Sequence, residues 1–357
     1  MKNLFCAIFI LMTLNVNAQF AYLMNDKNVA WVAESSIDIR LDMVPENVKA
    51  FISEETKYDL KGILNILKLQ GENEFYGEEG YWFFTHLLIA AAARKEITVY
   101  SDSLCRNSIE FLTAMEGTKD TTPMIDPTTY ETKYIVQMCP QHIQEVSIFR
   151  VHQVIYYNST NNKWGIRVLS IAPLKANHTK EGKFIGWRPL FWVKVEHKKA
   201  DLNSPDITWS VRTQLEEREN TIQLDSLKEH KKTNAKMPIL HFLNAAQNNE
   251  KLALYDGLYK CINKIPISID ERKRIFEPMD TLHPTGTVFY DTNNKIVVND
   301  FKAQDVKKIK ITQEWAWDNK RKILLVNYIG FVLLQNVKDD VGELRWCKRL
   351  FYQRFDD

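Results

Sequence analysis

The sequence predicts an α+β fold of two tandem units, each a helix packed on a mainly antiparallel β-sheet. The first observation is that the pattern of residues 149–193 returns at residues 309–353, with Gln153 and Gln313 at corresponding positions. The second is that turn-forming residues separate three apolar segments in each copy. Such turns join antiparallel neighbours, so each copy is predicted to be a three-stranded meander with one additional strand. The predicted turns are residues 158–162, 180–183, 318–322 and 339–342.

The first strand of each copy alternates between an apolar and a more polar side. Side chains of a strand point to opposite faces in turn, so one face of each strand is predicted to lie in the core. The residues of these core faces are Phe149, Val151, Ile155 and Tyr157 in the first copy and Ile309, Ile311, Trp315 and Trp317 in the second.

Gln153 and Gln313 fall on the same apolar faces. A buried amide without a hydrogen-bond partner costs about 1–3 kcal/mol. Each glutamine is therefore interpreted either as a buried residue bonded to neighbouring backbone or as a recognition contact in a groove.

Trp187 and Trp346 stand close to the turn before the last strand of their copy. This position predicts that they are more exposed than the tryptophans on the core faces. Tryptophan is enriched among the residues that anchor protein partners. Trp187 and Trp346, together with Gln153 and Gln313, are therefore the candidate interaction residues.

The N-terminus has the pattern of a secretory signal peptide over residues 1–18. Lys2 precedes an apolar run from Leu4 to Leu14, and cleavage is predicted after Ala18. The run has about ten residues, whereas a membrane-spanning helix needs about 20. The mature protein is therefore expected outside the cytoplasm.

Apolar runs and their boundaries predict the remaining organisation. Residues 81–95 are predicted to form a helix buried against the first sheet, followed by a strand at residues 97–100. Residues 252–262 are predicted to form a corresponding helix in the second unit. The predicted domains are a first unit at residues 19–198, a linker at 199–219 and a second unit at 220–357.

Two polar segments are predicted to lie outside the cores. Residues 116–132 are rich in Thr, Asp and Pro and are predicted to form a surface loop. Residues 214–232 are highly charged with both signs mixed, which favours a solvated helix or connection.

Charge and motifs argue against several function classes. The 47 basic and 45 acidic residues nearly balance, so nothing indicates nucleic acid or an anionic membrane surface as a partner. The sequence contains no Gly-x-Ser-x-Gly elbow, P-loop, dinucleotide-binding Gly-rich turn or His-Glu-x-x-His motif. We expect a protein without catalytic, cofactor-binding or metal-binding residues.

Four cysteines follow the predicted cleavage site: Cys105, Cys139, Cys261 and Cys347. An exported protein can form disulfides, and four cysteines allow three pairings. Pairing within each half, Cys105 with Cys139 and Cys261 with Cys347, agrees with two units. Free buried thiols are an equal alternative.

Segments in both units resemble the GldN/PorN family. In the first unit they are Thr98-Val-Tyr-Ser-Asp-Ser103, Arg167-Val-Leu-Ser-Ile-Ala-Pro173 and Leu190-Phe-Trp192. In the second unit they are Asn234-Ala-Lys-Met-Pro238, Leu254-Tyr-Asp-Gly-Leu258 and Gln313-Glu-Trp-Ala-Trp-Asp318. The resemblance covers most of the mature sequence, as a tandem duplication of the family's unit.

This resemblance implies a periplasmic component of the Type IX secretion and gliding motility machinery. Its implied partners are an outer-membrane lipoprotein and periplasmic motor subunits, in a ring that is at most peripherally associated with the membrane. A C-terminal helical tail is also implied, whereas this sequence ends at Asp357, directly after the last predicted strand. Bacteria with this machinery attach O-glycans at a short Asp-Ser/Thr pattern, which occurs at Ser103, Thr121, Ser226 and Thr281.

The favoured function is a non-enzymatic structural or adaptor subunit that binds other protein subunits. The alternative is a stand-alone exported protein that binds a small ligand or glycan. An adaptor is expected to expose an apolar, aromatic-rimmed patch, whereas a ligand-binding protein is expected to have a pocket with convergent polar groups.

Overall fold

The computed structural model describes most of the sequence after the predicted signal peptide. The described residues are 21–41, 84–115, 119–125, 132–138, 146, 148–179, 182–196, 198–213, 220–232, 238–276, 301, 303–338 and 343–355. The predicted signal peptide, Cys139 and Thr281 lie outside them. Among the described helices, none combines the length and the apolar character needed to cross a membrane.

Strands make up most of the described chain. They are β1 (Val29–Arg40), β2 (Val99–Tyr100), β3 (Ser108–Ile109), β4 (Lys119–Ile125), β5 (Thr132–Met138), β6 (Ile148–Asn158), β7 (Lys163–His178), β8 (Phe184–Pro189), β9 (Trp192–Lys194), β10 (Ile207–Arg212), β11 (Asn220–Gln223), β12 (Lys228–Lys232), β13 (Val306–Asp318), β14 (Ile323–Lys338) and β15 (Leu344–Arg354). The helices are α1 (Phe84–Ala93), α2 (Phe111–Met115), α3 (Ile239–Asn248), α4 (Leu258–Ile262) and α5 (Ile269–Phe276), with 3₁₀ turns at Leu224–Ser226 and Ala303–Asp305.

These elements form an α+β fold with antiparallel sheets, as the sequence predicts. The first sheet has the order β12-β1-β6-β7-β9-β2-β3, with β8 paired to β7. The second sheet has the order β10-β13-β14-β15, with β11 paired to β13. A separate hairpin consists of β4 and β5. Both predicted meanders are present, although the third strand of the first one is divided into β8 and β9.

The strand registers of the two sheets correspond position by position. In the first sheet Gln153 lies opposite Val168, next to a bulge. In the second sheet Gln313 lies opposite Tyr328, also next to a bulge. Gln313 lies 160 residues after Gln153, and Tyr328 lies 160 residues after Val168. Residues 160 positions apart are therefore corresponding residues of the two halves.

The correspondence includes a strand before each meander. β1 places Trp31 opposite Tyr157, and β10 places Trp209 opposite Trp317. Each strand has a bulge directly before its tryptophan. β10 lies inside the predicted linker, residues 199–219, so this part of the chain contains a paired strand of the second sheet.

The two sheets pack face to face through two shared apolar cores. The first core combines α1 and Phe149 of the first half with Trp209 and Trp317 of the second. The second core reverses these contributions, combining α3 and Ile309 of the second half with Tyr157 and Trp164 of the first. All eight residues predicted for the core faces are buried.

One helix closes each shared core. In the first core Phe84 of α1 stacks on Trp209, with ring centroids 4.5 Å apart. In the second core Phe242 of α3 packs against Trp164 of the first sheet and Phe351 of the second, at 6.2 and 5.9 Å. Each helix therefore packs against both halves of the chain.

The sequence predictions for the less regular parts of the chain were wrong in three places. Residues 252–262 contain only the short α4, and α3 is the ten-residue helix that corresponds to α1. Residues 119–125 of the predicted loop form β4. The charged segment 214–232 contains β11 and β12, and β12 pairs across the halves with β1.

The described cysteines are free thiols. Cys105 and Cys261 are buried, and Cys347 is half-buried. The predicted disulfide between Cys261 and Cys347 is therefore absent. Burial raises the pKa of Cys105 to about 12 and that of Cys261 to about 11, so both thiols are protonated at neutral pH.

The shared cores predict that the two halves unfold together. We expect Phe84→Leu and Phe242→Leu each to destabilise the protein by about 1–2 kcal/mol, because each removes ring contacts from a buried core. Urea unfolding followed by tryptophan fluorescence and by circular dichroism should give one coincident transition for both variants. Two separated transitions, with each variant shifting a different one, would show independent halves.

Candidate interaction surface

The two predicted glutamines meet between the sheets. Gln153 and Gln313 are both completely buried. The Nε2 of Gln313 donates to the Oε1 of Gln153 at 3.5 Å, a long hydrogen bond. This contact joins two corresponding positions of the two halves.

Backbone contacts fix the strands around this pair. The backbone N–H of Val168 donates to the hydroxyl of Tyr328 at 2.8 Å. On the other side, the N–H of Gln313 donates to the Oγ1 of Thr213 at 3.0 Å, and the N–H of Thr213 donates to the carbonyl of Gln313 at 2.9 Å. The glutamines thus belong to the packing of the two sheets and do not line an open groove, which corrects their reading as recognition contacts.

Trp187 lies on a two-stranded extension that leaves the first core. We call this extension the first arm: residues 174–178 of β7 paired with residues 184–189 of β8. β7 is buried up to Leu174 and becomes exposed by Asn177. The polar end of β7, paired with β8, therefore extends beyond the part of the first sheet that packs in the core.

A bulge in β8 gathers the aromatic residues of the first arm on one face. His178 pairs with Phe184 and Ala176 pairs with Trp187, and Ile185 is the additional residue between these pairs. Because positions 176 and 178 lie on the same face of β7, the bulge brings Phe184 and Trp187 to that face as well. Phe184 contacts both His178 and Trp187, with ring centroids 5.8 and 5.4 Å apart.

The apolar residues of this face are accessible to solvent. Phe184 is 48% exposed and Ile185 is 61% exposed, and Trp187 is half-buried. Large apolar side chains exposed together on one element are typical of a protein-binding surface. Trp187 is thus less buried than the core tryptophans, and the first arm presents apolar side chains at its surface.

Basic residues lie beside the aromatic face at the turn and on the opposite face of the arm. Lys175 pairs with Arg188 across the arm, and Lys183 precedes Phe184 at the turn. The described residues of the first arm include no Asp or Glu. The electrostatic complement of this surface is an acidic one.

The second half has a corresponding arm with a different surface. Residues 334–338 of β14 pair with residues 344–349 of β15, again with one bulged residue. Leu344 corresponds to Phe184 and Cys347 corresponds to Trp187. Trp346 pairs with Val337, so it occupies the register position of Gly186 and is not the counterpart of Trp187.

Helix α4 covers part of this second arm. Leu258 and Ile262 of α4 pack with Leu334 and Cys347 in one apolar cluster. The two arms thus share a backbone pattern, but the second carries Leu344 and Cys347 where the first carries Phe184 and Trp187.

Sequence reasoning identified Trp187 but missed Phe184 and Ile185. The available signal was the pair of adjacent apolar residues directly after the turn residues Gly182 and Lys183. Strict alternation would assign Phe184 and Trp187 to opposite faces, and a bulge is not visible in the alternation itself.

A protein-family model matches part of the chain. The family model "Gliding motility associated protein GldN" matches residues 67–212, about two fifths of the sequence. The matched range includes the whole first arm and ends at the last residue of β10. The comparison with curated proteins gave no match.

The buried glutamine pair predicts a measurable coupling between the sheets. We expect Gln153→Leu and Gln313→Leu each to lower the free energy of unfolding by about 1–3 kcal/mol, because each leaves the facing amide without this partner. The double variant should be less destabilised than the sum, with a coupling of about 0.5–1.5 kcal/mol from urea unfolding. Strictly additive effects would show that the two amides act independently.

Proposed function

Because residues 67–212 match the model of the family "Gliding motility associated protein GldN", we propose that the protein is a periplasmic adaptor subunit of the Type IX secretion and gliding machinery. The resemblance to this family implies a component of that machinery. The adaptor binds another protein subunit through the first arm. Its role is structural and uses no catalytic group.

The observation that carries this proposal is the aromatic face of the first arm. Phe184, Ile185 and Trp187 are apolar, lie within the family-matched range and are accessible on an extension of the sheet. Aromatic side chains supply a large contact area at low conformational cost. A partner that covers them removes this apolar surface from water.

The charges of the first arm define the partner's surface. Lys183, next to Phe184, and Lys175 with Arg188 on the other face of the arm favour a partner whose apolar patch is accompanied by Asp and Glu. We propose that this patch belongs to the outer-membrane lipoprotein of the secretion ring. Periplasmic motor subunits would then be reached through the lipoprotein or through other surfaces of this chain.

The shared cores support a closed arrangement of the two halves. We infer that they arose by duplication, because their strand registers correspond at a constant spacing. Each half covers the apolar face of the other, so one chain forms a pseudo-symmetric pair by itself. In a ring, one such chain would take the place of two neighbouring subunits.

Affinity purification from the native envelope tests the adaptor role. We expect the tagged protein to recover the lipoprotein in mild detergent, as identified by mass spectrometry. Phe184→Ala and Trp187→Ala should each lower the recovered lipoprotein by at least about tenfold, since a central aromatic anchor contributes about 2 kcal/mol or more.

Leu344→Ala is the matched control for Phe184→Ala. Leu344 is 51% exposed and occupies the corresponding position of the second arm. It should leave both the recovery of lipoprotein and the melting temperature unchanged. Recovery of the wild-type protein alone, as a monomer, would refute the adaptor role. An equal loss of lipoprotein for Phe184→Ala and for the control Leu344→Ala would refute the first arm as the binding surface.

A further inference from the structure

A cavity of about 410 Å³ lies at the seam between the two halves. One wall is the β6–β7 hairpin of the first half, and the other includes Val326, Asn327 and Tyr328 of β14. The hydrogen bond from the N–H of Val168 to Tyr328 connects β7 to β14 beside the cavity. The volume lies in the range of small-molecule sites, about 300–1,000 Å³.

Positive charges surround this cavity. Its lining includes Lys163, Arg167, Lys198 and Lys199, whereas none of the described residues that line it is Asp or Glu. Residues from two separate parts of the chain thus bring four cationic side chains to one cavity. Asn327 fixes the segment that carries Lys198 and Lys199. Its Oδ1 accepts the N–H of Ala200 at 2.7 Å, and its Nδ2 donates to the carbonyl of Ala200 at 3.0 Å.

The amide side chains of the cavity wall have their oxygens occupied. The Oδ1 of Asn158 accepts the N–H of Thr160 at 2.9 Å, and the Oδ1 of Asn161 accepts the N–H of Lys163 at 3.1 Å. Their Nδ2 groups remain as donors. Together with the lysine and arginine side chains, the wall therefore presents mainly hydrogen-bond donors.

Aromatic rings complete the lining. Trp164 belongs to this wall, although its ring packs against Phe242 and Phe331 in the second core. The ring of Tyr156 lies across Gly165, where a Cβ would be 2.1 Å from the ring's Cζ atom. Only a residue without a side chain allows the ring to take this position. Phe355 adds a further apolar surface.

We propose that the seam cavity binds a small organic molecule that carries a carboxylate or phosphate group on an apolar body. Arg167 and Lys198, together with the amide donors, hold the oxyanion, and the rings of Tyr156 and Phe355 pack against the apolar part. The site needs residues of both halves, so it depends on their packing. It is independent of the first arm and of any partner bound there.

The second half does not repeat this site. The positions that correspond to Asn158 and Lys163 are Asp318 and Ile323. An acid replaces a donor, and an apolar residue replaces a cation. The cationic character of the cavity therefore belongs to the first hairpin and to the segment after β9.

Titration calorimetry of the full mature chain with four probes tests the proposal. Benzoate and phenyl phosphate combine an oxyanion with a ring, inorganic phosphate has no ring, and benzyl alcohol has no charge. We expect benzoate or phenyl phosphate to bind more tightly than the other two, and more weakly when the salt concentration is raised. Which of the two binds more tightly distinguishes a carboxylate from a phosphate ligand.

Two variants connect this binding to the cavity. Arg167→Gln should weaken binding of the preferred probe by at least about tenfold, the effect of losing one charge-assisted contact. Gly165→Ala displaces the ring of Tyr156 and should weaken the preferred probe without changing the binding of inorganic phosphate. Lys260→Gln is the control of equal charge change, because Lys260 pairs with Asp256 outside the cavity.

Three results would overturn the proposal. The first is that neither benzoate nor phenyl phosphate binds at millimolar concentration, and the second is that benzyl alcohol binds as tightly as the anions. The third is that Arg167→Gln and Lys260→Gln lose equal amounts of affinity for the preferred probe. Melting temperatures without probe identify a variant that has lost its fold. Because these assays use the isolated protein, their outcome is separate from that of the envelope purification.

Discussion

The two sheets depend on each other, because each has a broad apolar face that the other sheet and one helix cover. Trp315 and Trp317 of the second sheet share a core with Phe149 of the first. Burying one aromatic side chain contributes about 4–6 kcal/mol from its area alone. Net folding stability is only about 5–15 kcal/mol, so neither sheet is expected to remain folded with this face exposed to water. The long chain therefore folds around two cores that belong to both halves.

A polar contact lies at the centre of this apolar packing. Gln153 and Gln313 would lose the hydrogen bond between them if the sheets met in another register. Their facing arrangement is therefore favourable over a register that separates them. The hydrogen bond from Val168 of β7, the strand next to that of Gln153, to Tyr328 also favours this register. Apolar contacts hold the sheets together with little directional preference, whereas these polar contacts favour one relative position.

The sequence predicted the elements whose pattern is decided by one buried face. The alternation around Gln153 and Gln313 gave both meanders and the core positions correctly. Elements whose structure depends on a partner far away in the sequence were missed. The strand β12, with the sequence Lys-Glu-His-Lys-Lys, has no apolar face and is a strand because it pairs with β1. The first arm itself was not predicted, and only its Trp187 was singled out, since the bulge at Ile185 depends on pairing with β7 and leaves no mark in the alternation.

The correspondence of the two halves explains why their surfaces can differ. Core positions and bulges fix the backbone, so they are similar in both sheets, but exposed positions carry no such constraint. Phe184 of the first arm corresponds to Leu344, and Lys163 of the cavity corresponds to Ile323. If duplication produced the halves, as we infer, the second sheet would supply the cover for the first. The first half could then retain a contact surface for a protein partner while the seam gained a site that a single unit cannot form.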